Sequence, residues 1–346
     1  MSMLSRVHSR DQEIITITAA DEWLGYCIAD TLLGCHNRRF KVRALCRDKD
    51  KCERLRRKGA EVCEIDYDDR GTLDVGVRYS KWIVFVVEKE HDRVDKAEAL
   101  CDAIKHAEVN NVALMSTLGT IDSDCPTFTD YEHIENAVKN CTDDWVILRL
   151  AFIQQLFYYW KKSVQEHSML SFSIHPDSRF SPIHLDDVMD SFREIAFRGD
   201  VPRDIDAKHR HKIYTLTGPE AIDGFILADI ISEAIDHRWF VRFMETSREQ
   251  VERYLRSLGG KRDRNNMYPE GRKERNYPPP PPPNEVCIDS ICDHFDYTRA
   301  GKSDYITGDV LRITGKPPVR AVWYFKENVD DFRPLKPTST STRSKM

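Results

Sequence analysis

The sequence predicts an α/β fold in which a doubly wound, mostly parallel sheet is joined to a smaller α+β C-terminal domain. In the N-terminal half, short apolar or β-branched runs alternate with longer amphipathic stretches, which is typical of strands that alternate with helices. Neighbouring parallel strands need a crossover connection, and the amphipathic stretches are long enough to supply one. The strands are also almost continuously apolar, as expected for a sheet covered by helices on both faces.

Six strands are predicted before residue 150. The first lies at 14–18, and the helix that follows at 24–33 places Leu24, Ile28 and Leu32 on one apolar face. The later strands are predicted at 42–45, 61–65, 81–87, 112–115 and 145–148, with helices at 48–58, 92–107 and 128–140. Six strands linked by crossovers predict a Rossmann-like sheet.

Beyond Arg149 the pattern becomes α+β. Helices are predicted at 186–197, 223–235 and 247–258, and strands at 213–216 and 239–243. The first of these helices carries Asp186 and Asp187 in its first turn, which suits the helix dipole. Folded structure is predicted to resume near Val286 after an insertion, and Gly315 marks the end of a later helix.

Composition excludes several classes of protein. The chain has 346 residues, 40% of them hydrophobic, and a net charge of -5, so wholesale disorder and a global attraction to nucleic acid are not expected. No run approaches a membrane span or a secretory signal. The ten cysteines form no Cys-x-x-Cys pair, which favours reduced thiols and predicts no metal site. We expect a cytoplasmic protein.

The insertion at 261–284 is basic and then proline-rich. Residues 261–277 hold six Lys or Arg against three acids, and the run Pro278–Pro283 follows. Six prolines must form polyproline II, because φ is fixed and no N–H is available. We interpret the run as a stiff spacer in a disordered insertion; the alternative is a ligand for an SH3- or WW-type domain. The basic stretch makes nuclear localisation an alternative to a cytoplasmic one.

The first strand-to-helix turn decides whether such a sheet binds a dinucleotide. Its three glycines make the tight turn, admit the pyrophosphate and allow close helix–strand packing. Here the turn reads Thr-Ala-Ala-Asp-Glu-Trp-Leu-Gly over residues 18–25. The chain resembles the NmrA-like family of atypical short-chain dehydrogenases, whose turn runs Thr-Gly-Ala-Thr-Gly-x-x-Gly. Set on that pattern, Thr18 and Gly25 match, whereas Ala19 and Glu22 replace the first two glycines. Further resemblance lies at 42–47, 59–62, 146–149, 182–188, 214–219 and 313–318.

The resemblance implies an NADP site at Thr18, Ala19, Glu22, Gly25, Arg47, Ser116 and His133. Arg47 follows the second strand, where an arginine accommodates a 2′-phosphate, so NADP is favoured over NAD. Ala19 in a left-handed conformation costs ~1–2 kcal/mol. Asp21 and Glu22 set negative charge beside a dianion, although Asp21 can act as an N-cap and Glu22 can satisfy the helix dipole. We therefore expect weakened or lost NADP binding.

The catalytic apparatus is incomplete by the pattern of short-chain reductases. Ser116 ends the fifth strand and Tyr131 starts a helix, but Glu135 stands where a lysine would lower the pKa of the tyrosine. The resembled family usually keeps a lysine at the position of His133, which is an alternative proton donor. The aromatic residues within 152–160 are interpreted as core, with a substrate cleft as the alternative.

These observations predict a flexible N-terminus at 1–12, a Rossmann-like NAD(P)-binding domain at 13–150, a smaller domain at 151–260 and 285–330, and a tail at 331–346. We interpret the protein as a non-catalytic, redox-sensor-like regulator. By analogy with the resembled family, its partner is a transcription regulator. The alternatives are an NADP-dependent oxidoreductase or quinone reductase and a scaffold that recruits partners through 261–284.

Overall fold

The computed structural model describes residues 12–35, 38–120, 125–235, 240–259 and 277–334. Almost all of the predicted N-terminus, the basic part of the insertion and most of the predicted tail lie outside these residues. The first residue of the strand predicted at 239–243 lies outside them too.

Within the described residues, the predicted strands are present with small shifts of their ends. The strands are β1 (Glu13–Ile17), β2 (Phe40–Cys46), β3 (Glu61–Glu64), β4 (Ser80–Val86), β5 (Asn111–Thr117), β6 (Asp144–Leu150), β7 (Met169–Phe172), β8 (Phe197–Arg198), β9 (Val201–Pro202), β10 (Lys212–Leu216) and β11 (Arg242–Glu245). The strand predicted at 239–243 is the one displaced furthest, since β11 runs from Arg242.

The helices, too, follow the amphipathic stretches. They are α1 (Trp23–Leu33), α2 (Glu53–Arg57), α3 (Arg70–Val77), α4 (Arg93–His106), α5 (Pro126–Cys141), α6 (Lys161–His167), α7 (Leu185–Ala196), α8 (Gly224–Ile235), α9 (Arg248–Ser257), α10 (Glu285–Arg299), α11 (Asp309–Thr314), α12 (Ala321–Glu327) and α13 (Val329–Phe332). The second helix is shorter than the predicted 48–58, and a 3₁₀ helix occupies Gln154–Trp160.

The main sheet has seven parallel strands in the order β10-β6-β5-β4-β1-β2-β3. This confirms the predicted Rossmann-like α/β fold. Successive side chains of β4 point to opposite faces, so Trp82 and Val84 join the core under α1 and α7, while Ile83 and Phe85 join the core under α3, α4 and α5. Both faces are therefore covered.

The edge strand β10 comes from the chain beyond residue 150. It pairs with β6 in parallel register, with Tyr214 opposite Leu148. Part of the range predicted as the smaller domain thus completes the main sheet. Helix α7 packs on the main sheet as well. Other elements of that range form a second, aromatic core around Phe157, Phe172 and Phe295.

The C-terminal end of the described chain is folded beyond the predicted start of the tail. Phe332 of α13 is buried against Phe325 and Tyr324. The boundary predicted at 331 is therefore wrong, because Phe332 belongs to the second core. None of the described helices combines the length and the apolar character that a membrane span requires.

Candidate functional site

The loop between β1 and α1 has a tight backbone that makes two positions special. Ala19 has φ 47°, so it occupies the left-handed region where the resembled family has a glycine. A Cβ at Gly25 would lie 2.2 Å from the Ala19 carbonyl oxygen. Gly25 therefore performs the predicted role of the third glycine, which is to bring helix and strand together. Thr18 is buried, and its hydroxyl donates to the Val86 carbonyl of β4.

The start of α1 differs from the prediction for its two acids. Glu22, not Asp21, occupies the N-cap position, and its side chain makes no capping hydrogen bond. The Asp21 carboxyl is buried, and its Oδ1 has no hydrogen-bond partner among the described residues. The N-cap prediction for Asp21 is wrong because α1 begins at Trp23, which leaves Glu22 in the N-cap position.

Four carboxylates surround the side chain of Arg47, and we call this group the carboxylate cluster. The guanidinium of Arg47 lies 2.5 Å from Glu90, 3.4 Å from Glu88 and 3.9 Å from Glu22. Asp21 is the fourth member, and its charge acts on Arg47. The arginine predicted to accommodate a 2′-phosphate is thus held by carboxylates of its own chain.

Burial makes three of the four acids of this cluster weaker. It raises the pKa of Glu88 to about 7, with a further contribution from Asp21 and opposition from Arg47. Burial likewise raises the pKa values of Asp21 and Glu22, because carboxyl groups removed from water favour their neutral form. At Glu90 hydrogen bonds from Lys96 and Arg47 outweigh burial and lower the pKa.

A cavity of about 880 Å³ lies beside this loop at the carboxyl ends of β4, β5 and β6. Asp21 and Glu22 lie at one end of its lining, and Ser116 and Tyr131 belong to it as well. In open α/β sheets ligands bind outside the carboxyl ends of the strands, so the cavity is in the expected place for a site.

The prolines close one side of the cavity, and we call residues 277–284 the proline strap. Pro278 and Pro280 are buried, and the Pro278 carbonyl accepts a 2.9 Å hydrogen bond from Trp23 Nε1. At the two ends, the Tyr277 hydroxyl donates to Asp186 and the Asn284 side chain donates to the Lys89 carbonyl. The prolines therefore pack against α1, and their rings cover one side of the cavity. For these residues the interpretation as a stiff spacer is wrong.

Lys89 supplies the cation beside Tyr131 that the α5 sequence does not. Its Nζ donates to the Tyr131 hydroxyl at 3.2 Å and lies 5.7 Å from the ring centroid. His133 is exposed on α5 and does not line the cavity. The prediction of His133 as a proton donor is wrong, because a residue two positions along a helix faces almost the opposite side from Tyr131.

Glu135 and Arg149 form a buried ion pair, and Ser116 donates a hydrogen bond to it. Glu135 accepts two hydrogen bonds from Arg149, at 2.8 and 2.7 Å, and a third from Ser116 at 2.7 Å. The Glu135 carboxylate is therefore neutralised by Arg149 and does not act on Tyr131 as the sequence suggested.

Helix α10 brings polar groups to the same wall of the cavity. His294 Nε2 lies 3.0 Å from the Thr117 hydroxyl, and burial lowers the pKa of His294 to about 4. Burial also raises the pKa of the Cys287 thiol, which lines the cavity nearby. At neutral pH these groups are uncharged.

The aromatic residues within 152–160 are divided between the cavity lining and the core. Phe152, Tyr158 and Tyr159 line the cavity, whereas Phe157 and Trp160 are buried in the second core. Sequence reasoning missed Lys89, Glu88 and His294. The sequence did contain a signal for the first two: they directly follow the apolar strand β4, and strand ends meet at one edge of a parallel sheet.

The fold places the chain in the class of Rossmann-like α/β proteins. Residues 24–156 match the family model described as NAD(P)H-binding. No curated protein matches the sequence.

Solved structures of reductases and an epimerase share the fold. A triphenylmethane reductase from Citrobacter sp., complexed with NADP(H), is 17% identical with a TM-score of 0.70, covering 92% of this chain and 99% of its own. An NADPH-dependent quinone oxidoreductase from Escherichia coli, complexed with NADPH, is 18% identical with a TM-score of 0.69 over 91% and 98%. A nucleoside-diphosphate-sugar epimerase from Staphylococcus aureus is 17% identical with a TM-score of 0.67 over 90% and 99%. Identities this low establish a shared fold.

Proposed function

We propose that this protein is a non-catalytic binding protein on a reductase-like scaffold and that its phosphate loop accepts NADP(H) weakly or not at all. The observation that carries the proposal is the pair Asp21 and Glu22 at the start of α1. Backbone N–H groups at this end of a helix are the usual receptor for a pyrophosphate. Glu22 places a carboxylate there, and its partner Arg47 is shared with Glu88 and Glu90.

The electrostatic cost is large enough to matter. One pair of like charges at about 4 Å repels by ~1 kcal/mol in water and ~4 kcal/mol at a dielectric constant of ~20. Two carboxylates facing a dianion make several such pairs. At ~1.4 kcal/mol per tenfold change in affinity, the residues at the loop do not fit a dinucleotide pyrophosphate bound in the manner of the resembled family.

The resemblance to the NmrA-like family supports a regulatory role, since some members of that family bind transcription factors. A protein partner of this kind, and location in the cytoplasm or nucleus, are parts of the proposal.

A titration with NADPH, monitored by isothermal titration calorimetry, measures how much the loop weakens binding of the dinucleotide. Glu22→Gly removes both the charge and the side chain, Glu22→Gln removes the charge alone, and Glu98→Gln removes an exposed charge on α4 as the control. We expect Glu22→Gly to bind NADPH about tenfold or more tightly than the wild type, with Glu22→Gln between them. Low-micromolar binding by the wild type, unchanged in Glu22→Gly, would contradict the proposal.

A second candidate is an NADP-dependent reductase, and the Lys89–Tyr131 contact favours it. A tyrosine hydroxyl in hydrogen-bond contact with a lysine ammonium inside a cavity is an arrangement that can donate a proton to a bound substrate. The candidate predicts NADPH oxidation with a panel of quinones and a loss of about 100-fold or more in Tyr131→Phe. The exposed Tyr79 supplies the control variant Tyr79→Phe. No turnover above background by the wild-type protein excludes this candidate.

A further inference from the structure

The cavity lining holds two acids at the loop and a lysine beside Tyr131. The acids are Asp21 and Glu22, and the lysines in the lining are Lys51 and Lys89. Burial raises the pKa values of both acids, and Lys51 opposes this effect at each of them. Lys89 also opposes it at Glu22, while its Nζ donates to the Tyr131 hydroxyl.

Lys89 forms no salt bridge in the described part of the chain, unlike the cations around it. Arg93 pairs with Asp130 at 2.8 Å, and Lys96 pairs with Asp92 at 2.9 Å and also with Glu90. The Nζ of Lys89 instead donates to the Tyr131 hydroxyl. Burial opposes the charge of Lys89, but Tyr131 and Cys287 outweigh it and its pKa is raised, so the cavity holds an ammonium whose hydrogen-bond partner is a hydroxyl and not a carboxylate.

The cavity walls between the loop and Tyr131 are largely apolar. Pro280, Ile153 and Ile291 lie in the lining with the ring of Tyr159. A cavity of about 880 Å³ lies within the range of sites for molecules of drug size. The proline rings and the Tyr159 ring offer an apolar surface to an aromatic ligand.

We propose that the cavity binds an apolar aromatic monoanion whose acidic group contacts Lys89 Nζ and the Tyr131 hydroxyl and whose rings lie beneath the proline strap. The ammonium and the phenol supply two donors to one carboxylate, sulfonate or phenolate oxygen group. Asp21 and Glu22 at the other end repel a second negative charge, so dianions are disfavoured. This inference rests on the proposed function in one respect, that the cavity is not filled by a dinucleotide.

The test uses a pair of fluorescent probes that differ in one group. 1-Anilinonaphthalene-8-sulfonate carries the anion, and N-phenyl-1-naphthylamine is the same skeleton without it. We expect the sulfonate to bind at one site per chain, and Lys89→Met to weaken it about tenfold or more while leaving the neutral probe nearly unchanged. Lys162→Met, which removes an exposed lysine on α6 away from the cavity lining, is the matched control and should not weaken the sulfonate.

Lys89→Arg and Tyr131→Phe extend the test if Lys89→Met does not fold by circular dichroism. The arginine variant should keep the preference for the sulfonate, and the phenylalanine variant should reduce it. Equal binding of both probes, equal loss of both in the Lys89 variants, an equal loss in Lys162→Met or no binding of the sulfonate would overturn the inference.

The NADPH titration separates the two proposals. Sulfonate binding that depends on Lys89, measured without NADPH, together with tight NADPH binding, would refute the proposed function and confine this inference to the protein without its dinucleotide. Weak NADPH binding, together with sulfonate binding that does not depend on Lys89, would refute this inference and support the proposed function.

Discussion

Gly25 shows most sharply how one residue fixes the loop. A Cβ at this position would overlap the Ala19 carbonyl, which is backbone and cannot turn away. We expect Gly25→Ala to lower the free energy of unfolding by about 3 kcal/mol or more, in the range of severe packing defects. Denaturant unfolding measures this loss.

The matched control lies at the end of the same helix. A Cβ at Gly34 would be 3.4 Å from the Thr31 carbonyl oxygen, an ordinary contact, and Gly34 has φ −74°. Gly34→Ala should be neutral or stabilising by about 0.5 kcal/mol. Equal losses in the two variants would show that the close approach of α1 to β1 does not decide the stability of this loop.

Glu88 gives the protein a pH dependence with a definite sign. In the unfolded chain a glutamate titrates near ~4.3, whereas burial raises the pKa of Glu88 in the folded protein to about 7. Between these pH values the folded protein keeps a proton that the unfolded chain has lost. Rising pH therefore lowers the free energy of unfolding across this window, and above it the loss is complete.

Glu88→Gln removes this titration. The free energy of unfolding of the variant relative to the wild type should rise by about 2 kcal/mol between pH 5 and pH 8. Urea unfolding at several pH values measures the difference, with Glu132→Gln, an exposed glutamate on α5, as the control. A constant difference across this window would show that Glu88 titrates normally.

At the residue scale, the sequence predicted features that follow from local backbone rules. It did not predict contacts between residues that are far apart in the sequence. The left-handed Ala19 and the packing role of Gly25 followed from the loop pattern. The Lys89–Tyr131 contact did not, because it joins residues 42 positions apart on different elements. A search for a lysine on the tyrosine's own helix could not find it.

At the scale of elements, the proline strap is tied to α1 by one buried hydrogen bond. Trp23→Phe keeps most of the aromatic surface but leaves the Pro278 carbonyl without its donor. We expect a loss of about 1–3 kcal/mol in the free energy of unfolding, the cost of an unsatisfied buried acceptor. Thermal and urea unfolding measure it.

The exposed Trp323 provides the control for this substitution. Its side chain is 55% exposed on α12, so Trp323→Phe should change stability by no more than about 0.5 kcal/mol. If Trp23→Phe also left the free energy of unfolding unchanged, the packing of the proline rings alone would hold the strap.

Element boundaries were predictable because apolar runs and caps are local signals. The six N-terminal strands and most helices lie within a few residues of their predictions. The docking of the strap was not predictable, since a proline run specifies its own backbone and nothing about the surface that receives it. The SH3- or WW-type partner stays a prediction, and burial of Pro278 and Pro280 requires the strap to leave its place first.

At the scale of the whole molecule, the chain beyond residue 150 is needed to complete the N-terminal sheet. The core under α1 includes Val188 and Phe192 of α7, and β10 covers the outer edge of β6. We expect a fragment of residues 1–150 to show no cooperative thermal transition by circular dichroism, because it loses one face of its core.

The full-length chain is the control and should unfold in a single transition in both far- and near-ultraviolet circular dichroism. A fragment that unfolds cooperatively near the temperature of the full chain would show that the first domain is independent. The sequence indicated a division near 150 because the rhythm of elements changes there, but it carried no signal for a late strand that returns to the first sheet.

The late arrival of β10 has a consequence during translation. The ribosome adds about 5–20 residues per second, so roughly 3–12 seconds separate the emergence of β6 from that of its outer neighbour. Until residues 212–216 are synthesised, the nascent chain lacks the strand that pairs with Val146, Ile147 and Leu148. Backbone groups without their strand partner are a template for pairing with other chains, so these residues stay available for such pairing throughout the interval.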